Sequence, residues 1–199
     1  MPGIDATRPS VARVYDFWLG GKDNFAVDRE TGGRMAEVNP SLPRLVRDNR
    51  QFLCAAAARA AGAGVAQFLD LGAGLPAHPA VHEAVREVNA DARACYVDND
   101  TAAALHAAVL LADGEGLAAV QADLTDPGSL LARPEVRAML DFGRPVGIVL
   151  GAAVTSWLEG LEIVPPGVCE AGRWVAGTGG VPTQRPVYPL AAAAVKTGE

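Results

Sequence analysis

An acidic residue followed by two closely spaced glycines, Asp70-Leu71-Gly72-Ala73-Gly74, is the segment with the clearest capacity for chemistry. It closes a short apolar run, Val65–Leu71, and a helical pattern opens a few residues later. Glycine lets the backbone pass close to a bound molecule because no Cβ stands in the way. The following helix offers unpaired N–H groups suited to an anionic group, and Pro76 lies just before it, where a missing N–H costs little. Two ligand classes use such a turn. Gly72-x-Gly74-x-x-Ala77, with Asp98 26 positions after Gly72, satisfies a loose dinucleotide fingerprint and keeps an NAD-binding oxidoreductase as an alternative. Asp70 favours the other class, because a carboxylate there repels a pyrophosphate yet accepts hydrogen bonds from an ammonium group.

S-adenosylmethionine has an ammonium and a sulfonium and carries no phosphate. Two further strand ends fit it. Tyr96-Val97-Asp98-Asn99-Asp100 ends a second strand with a carboxylate, Asp98, able to take both ribose hydroxyls. Ala122-Asp123-Leu124 ends a third, with Asp123 placed for the adenine amino group and Leu124 beside the ring. Open α/β sheets bind ligands at the carboxyl ends of their strands, so three acids in this order form a constellation. The expected cofactor site is Asp70, Gly72, Gly74, Leu75, Asp98, Asn99, Asp123 and Leu124. Asp126, before Pro127, reads as a helix N-cap.

Other chemistry-bearing residues are less specific. Gly20-Gly21-Lys22-Asp23-Asn24 is a polar loop between an aromatic helix and Phe25. It could fold over the crevice as a lid, with Tyr15, Lys22 or Asn24 facing ligand, or merely anchor a helix and shape a turn. His82, beside Glu83, could line the pocket or act as a general base, or sit on a helix surface. His78 and His82 lack a third ligand at a recognisable spacing, so no metal site is expected. Ser156 has no triad partners, and no catalytic base is assignable.

The 199 residues suit one domain with a small appendage, and 50% hydrophobic content is ample for a core. A net charge of -6 gives no global field to gather nucleic acid. Three widely spaced cysteines read as buried small hydrophobes in a reducing cytoplasm. The N-terminus lacks a signal-peptide pattern, and no apolar run approaches the ~20 residues that span a bilayer. A cytoplasmic protein without nucleic-acid or membrane partners is expected.

The elements that must position these residues follow from periodicity. Residues 8–64 read as three helices: one capped by Ser10 through Trp18, one over Val27–Val38, and one from Ser41 to Gly62. From residue 65 strands alternate with helices. Strands are expected at Val65–Leu71, Ala94–Val97, Leu117–Ala122 and Val146–Leu150. Helices are expected at Pro79–Val88, Thr101–Ala112 capped by Thr101, and Pro127–Leu140 with a break at Pro134. This rhythm implies a parallel sheet with right-handed crossovers. After residue 150 the pattern is irregular: Leu161–Val164 and Gly172–Val175 could form one bent strand, and Pro186–Val195 ends in four ambiguous alanines. The expected division is a helical lid or cap over 1–64 and a nucleotide-binding domain over 65–199.

At this point the chain resembles the S-adenosylmethionine-dependent methyltransferase-like family found mainly in actinobacteria, long known as a domain of unknown function. Ser10–Phe25 with Asp28-Arg29 looks like its N-terminal signature, and Asp48-Asn49-Arg50-x-Phe52-Leu53 resembles its next block. Phe68–Pro76, Val81-His82-Glu83, Tyr96–Asp100, Ala122–Pro127 and Arg144-Pro145-Val146 continue the match in order. The resemblance implies an α/β, doubly wound, mostly parallel Rossmann-like sheet of the class I methyltransferase type, with an N-terminal helical segment. It also implies S-adenosylmethionine as ligand and methyl donor; the acceptor, which the resemblance does not supply, is expected to be a small molecule.

The C-terminal half is shortened. Val149–Val154 runs almost directly into Thr155–Val164, which resembles the family's lead into its penultimate strand, so several dozen residues are expected to be missing. In that sheet order a fifth strand lies between the fourth strand and the final hairpin. Without it, either an open edge invites a homodimer, or the hairpin pairs with the fourth strand. A missing acceptor side also supports an alternative: a catalytically deficient S-adenosylmethionine-binding protein, or a gene remnant.

Overall fold

The computed structural model describes residues 5–112, 114–151, 162–163, 169–170 and 190–196. Three helices come first: α1 (Val11–Leu19), α2 (Ala26–Val38) and α3 (Leu42–Gly62). An alternating section follows, with β1 (Gln67–Leu71), α4 (Val81–Arg86), β2 (Arg93–Asp98), α5 (Thr101–Leu111) and β3 (Leu117–Gln121). Next come α6 (Pro127–Ala132), α7 (Pro134–Met139) and β4 (Val146–Leu150). The remaining strands are β5 (Glu162–Ile163), β6 (Cys169–Glu170) and β7 (Leu190–Lys196).

Strands β3, β2, β1 and β4 lie side by side and parallel, in that order. The chain steps outward from β1 through β2 to β3, then crosses back to β4 on the other side of β1. That reversal opens a crevice at the carboxyl ends of β1 and β4, where doubly wound sheets bind ligands. Both faces of the sheet are covered, which is why β4 reads as a continuous apolar run and β1 as a mostly apolar one that carries Gln67 and Asp70. Side chains alternate along β1: Phe68 joins Phe52, Ala56 and Val149 under α3, while Leu69 joins Val136 and Leu140 under α7. Asp70 therefore falls on the α3 face. The alanines on the inner side of α3, Ala56, Ala57, Ala60 and Ala61, are buried in that core. Helix α3 thus belongs to the sheet's own core, and α1 packs outside it, with Val14 and Trp18 clustered against Val46 of α3.

Several boundaries differ from the expectations for physical reasons. Helix α5 is capped by Asp100, not Thr101, because the Asp100 carboxylate accepts the N–H groups of Ala102 and Ala103. Ser10 stands at the N-cap of α1, yet its hydroxyl donates to Asp100 Oδ2 at 3.3 Å and caps nothing. Helix α4 starts at Val81, after extended Ala80, whose N–H goes to Glu83 Oε2. His78 accordingly lies outside the helix, so it does not share a helix face with His82. The break at Pro134 is present, with Arg133 extended ahead of the proline.

Of the two ways to complete the sheet, the second is present: β7 pairs antiparallel with β4, from Val146↔Lys196 to Leu150↔Ala192. The edge of β4, on which the homodimer expectation rested, is occupied. The alanines at 191–194 are in strand because this pairing overrides their helical propensity. β5 and β6 both pair with β7. Residues 172–175 and the seam at 152–161 lie outside the described residues.

Candidate functional site

The turn after β1 is anchored on β2. Gly72 and Gly74 adopt φ of 69° and 66°, in the left-handed region that side chains disfavour. The N–H groups of Gly72 and Ala73 donate to the Val97 carbonyl at 2.8 and 3.1 Å. Asp98 completes the anchoring: Oδ2 accepts the Gly74 N–H at 2.7 Å and Oδ1 accepts the Asp100 N–H at 2.8 Å. Each oxygen keeps a second lone pair for a ligand hydroxyl. A Cβ built on Gly72 would touch Leu124 Cδ1 at 3.8 Å, so the end of β3 also reaches the turn.

These contacts bring Asp70, Gly72, Gly74, Asp98 and Leu124 together. Asp123 is exposed and its Oδ1 accepts the N–H and hydroxyl of Thr125, bonds that hold its carboxyl below the usual range. Asn99 is exposed, and its carbonyl accepts Gln121 Nε2 at 3.3 Å. Neither side chain is drawn into the turn by a bond seen here. Asp126 caps α6 as its position before Pro127 implied.

Asp70 is the electrostatic centre. It is 3% exposed, and Oδ2 has no hydrogen-bond partner among the described residues. Burial pushes its pKa up to about 6, with Arg50 opposing and Asp98 reinforcing the shift. The Arg50 guanidinium is itself committed, donating to the carbonyls of Pro79 at 2.7 Å and Ala77 at 2.9 Å. One residue earlier on α3, Asn49 donates through Nδ2 to the Tyr15 hydroxyl at 3.0 Å. Tyr15 in turn donates to the Val46 carbonyl at 3.3 Å, and burial raises its pKa. His82 is tied to Tyr96, whose hydroxyl accepts the His82 N–H at 2.9 Å and lies 2.7 Å from Nδ1. That hydroxyl retains its own proton to donate, which suits a neutral ring, and burial lowers the His82 pKa.

The N-terminal segment is fastened by one carboxylate. Asp28, fully buried, accepts Arg13 Nε at 2.7 Å and the N–H groups of Ser10 at 2.9 Å and Phe25 at 2.8 Å. Burial raises its pKa, but these donors outweigh that and hold it low. Between the loop after α1 and the side of α5 lies a cavity of about 390 Å³, lined in part by Lys22, Asn24, Leu75 and Asp100. Asn24 also shapes the loop, donating to Asp16 Oδ2 at 2.8 Å. Tyr15 faces Asn49 and does not line this cavity.

Sequence reasoning assigned no role to Asn49, Arg50, Arg13 or Asp28. The available signal was polar residues inside an apolar helical stripe, as with Asn49 and Arg50 between Val46 and Phe52. No group of three or more His, Cys, Asp or Glu able to hold a metal occurs among the described residues. His78 pairs with Glu83 at 2.8 Å. Burial pushes the Cys95 thiol up to about 12, and it stays inert in the core.

The arrangement fits a ligand with a cationic end. An unpartnered buried carboxylate oxygen at the crevice favours an ammonium, and the glycine turn leaves room for backbone approach. Residues 1–155 match the family model described as S-adenosyl methyltransferase. No curated protein matches the chain. A crystal structure from Thermobifida fusca, carrying a provisional methyltransferase assignment, is 29% identical with a TM-score of 0.80, over 99% of this chain and 98% of that one. A DUF574 family protein from Streptomyces avermitilis is 28% identical with a TM-score of 0.82, over 98% of this chain and 100% of its own.

Proposed function

The chain belongs to the S-adenosyl methyltransferase family, and from that premise we propose that it binds S-adenosylmethionine at the β1–β2–β3 strand ends and methylates a small-molecule acceptor. Asp70, Gly72 and Gly74 would hold the amino-acid end, with Leu75 alongside. Asp98 would take the ribose hydroxyls, while Asp123 and Leu124 take the adenine with Asn99 beside it. The observation that carries the reading is Asp70: an ionisable group so buried, with a free oxygen, gains most from a cationic partner. When bound, S-adenosylmethionine supplies an electrophilic methyl group on a sulfonium. The chain's own contribution is positioning: a turn fixed by Asp98 and a lid fastened by Asp28 that excludes water.

A small acceptor is supported by the modest cavity under the lid and by the absence of a basic global charge. No helix among the described residues is long and apolar enough to cross a membrane, and a cytoplasmic location is part of the same proposal. Calorimetry with S-adenosylhomocysteine tests the reading, and absence of binding overturns it. A second reading, binding without turnover, is favoured by the direct pairing of β4 with β7, where the resemblance implied an intervening strand. S-adenosylhomocysteine binding, with no turnover across an acceptor screen that a full-length relative passes, would select it.

A further inference from the structure

Two buried acceptors on the α3 side of the sheet, Asp70 Oδ2 and Asn49 Oδ1, have no donor among the described residues. Both side chains are almost wholly buried, at 3% and 2% exposure. Helix α3 runs antiparallel to β1, so one turn before Phe52, which packs with Phe68, brings Asn49 level with the carboxyl end of the strand. A Cβ on Gly151, just beyond β4, would lie 3.8 Å from Asn49 Nδ2. Asp70 stands one residue from the end of β1, the strand beside β4. The amide orientation follows from its neighbour. The Tyr15 hydroxyl spends its one proton on the Val46 carbonyl, so it accepts from Asn49, which must present Nδ2 and turn Oδ1 away.

We propose that Asn49 is a specificity-determining residue whose Oδ1, together with Asp70 Oδ2, takes the ammonium of the ligand's amino-acid end, while Tyr15 sets the amide orientation. The inference rests on the S-adenosylmethionine reading and extends it to a residue outside the glycine turn. An ammonium brings three N–H donors and no acceptor, which is what two unpaired buried acceptors require. A single donor-poor group at this place would leave one of them unsatisfied.

The test compares S-adenosylhomocysteine with its analogue lacking the amino group, by calorimetry on the intact chain. Wild type should bind S-adenosylhomocysteine more tightly by about tenfold or more. Asn49→Leu, of similar volume, should cut that preference roughly fivefold while leaving the analogue's affinity within about twofold. Tyr15→Phe should lower the preference in the same direction and serves if Asn49→Leu does not fold. An unchanged preference in a folded variant overturns the proposal, even if both affinities fall, because a merely structural Asn49 weakens both ligands alike. If wild type binds neither ligand, the family reading of the site fails and this inference with it. If it binds both equally, cofactor binding at the strand ends stands, but the ammonium role of Asp70 fails together with this inference.

Discussion

The Asp98 carboxylate accepts the backbone N–H of Gly74 at 2.7 Å, so the acid that ends β2 also fixes the shape of the turn that ends β1. Removing it strips an acceptor from Gly74 and from Asp100 at once. Asp98→Ala should weaken S-adenosylhomocysteine binding by on the order of 1.5–3 kcal/mol and lower folding stability by about 1–2 kcal/mol. Calorimetry and denaturant titration measure the two effects. An unchanged affinity would remove Asp98 from the site.

Asp70 makes stability and binding depend on pH in opposite senses. Its folded pKa of about 6 exceeds the ordinary 3.8, so between those values the folded chain keeps a proton that the unfolded chain releases. Stability of the ligand-free protein should therefore fall as pH rises from about 4 to 6 and then level off. Asp70→Asn should flatten that slope and stabilise the free protein at neutral pH by on the order of 1–3 kcal/mol. Ligand affinity should rise with pH through about 6, because an ammonium needs the ionised carboxylate. Denaturant titrations and calorimetry across this range check both.

The Asp28 clasp should be costly to break. Asp28→Ala leaves Arg13 buried without its partner and frees two backbone donors. A loss of about 3–5 kcal/mol is expected, read by denaturant unfolding. Because the Asp28 pKa is held low, its contribution is full above the ordinary carboxylate value and is lost as pH falls through the lowered one. Protease sensitivity in residues 10–28 should rise in the variant.

Gly147 is a packing requirement. A Cβ there would meet the Phe68 ring at 2.6 Å, directly across the β1–β4 register. Gly147→Ala should cost roughly 1–3 kcal/mol by displacing the ring, measured as a drop in Tm.

What the sequence made legible is the part dictated by local periodicity and turn chemistry. The apolar runs at β1 and β4, the glycines at 72 and 74, and the stop before Pro134 all depend on near neighbours in the chain. Asp98 was placed correctly at the end of β2, but its bond to Gly74 joins residues 24 apart and no local pattern encodes it. Asn49 and Tyr15 are 34 apart, and Arg13 and Asp28 meet across a helix–loop–helix turn. Their polarity was visible; their partners were not. The alanines of β7 were ambiguous for the same reason: their conformation is set by a strand some forty residues earlier.

That last separation has a consequence during synthesis. β4 ends at Leu150, and the strand that covers it begins at Leu190. At ribosomal rates of roughly 5–20 residues per second, the covering strand follows a few seconds later. For that interval the nascent chain has four strands ready to align, and the flank of β4 has yet to meet the strand that covers it. A chaperone, or a neighbouring nascent chain, competes for that flank only until residues 190–196 arrive, so the pace of translation across this stretch bears on how much of the protein reaches its final form.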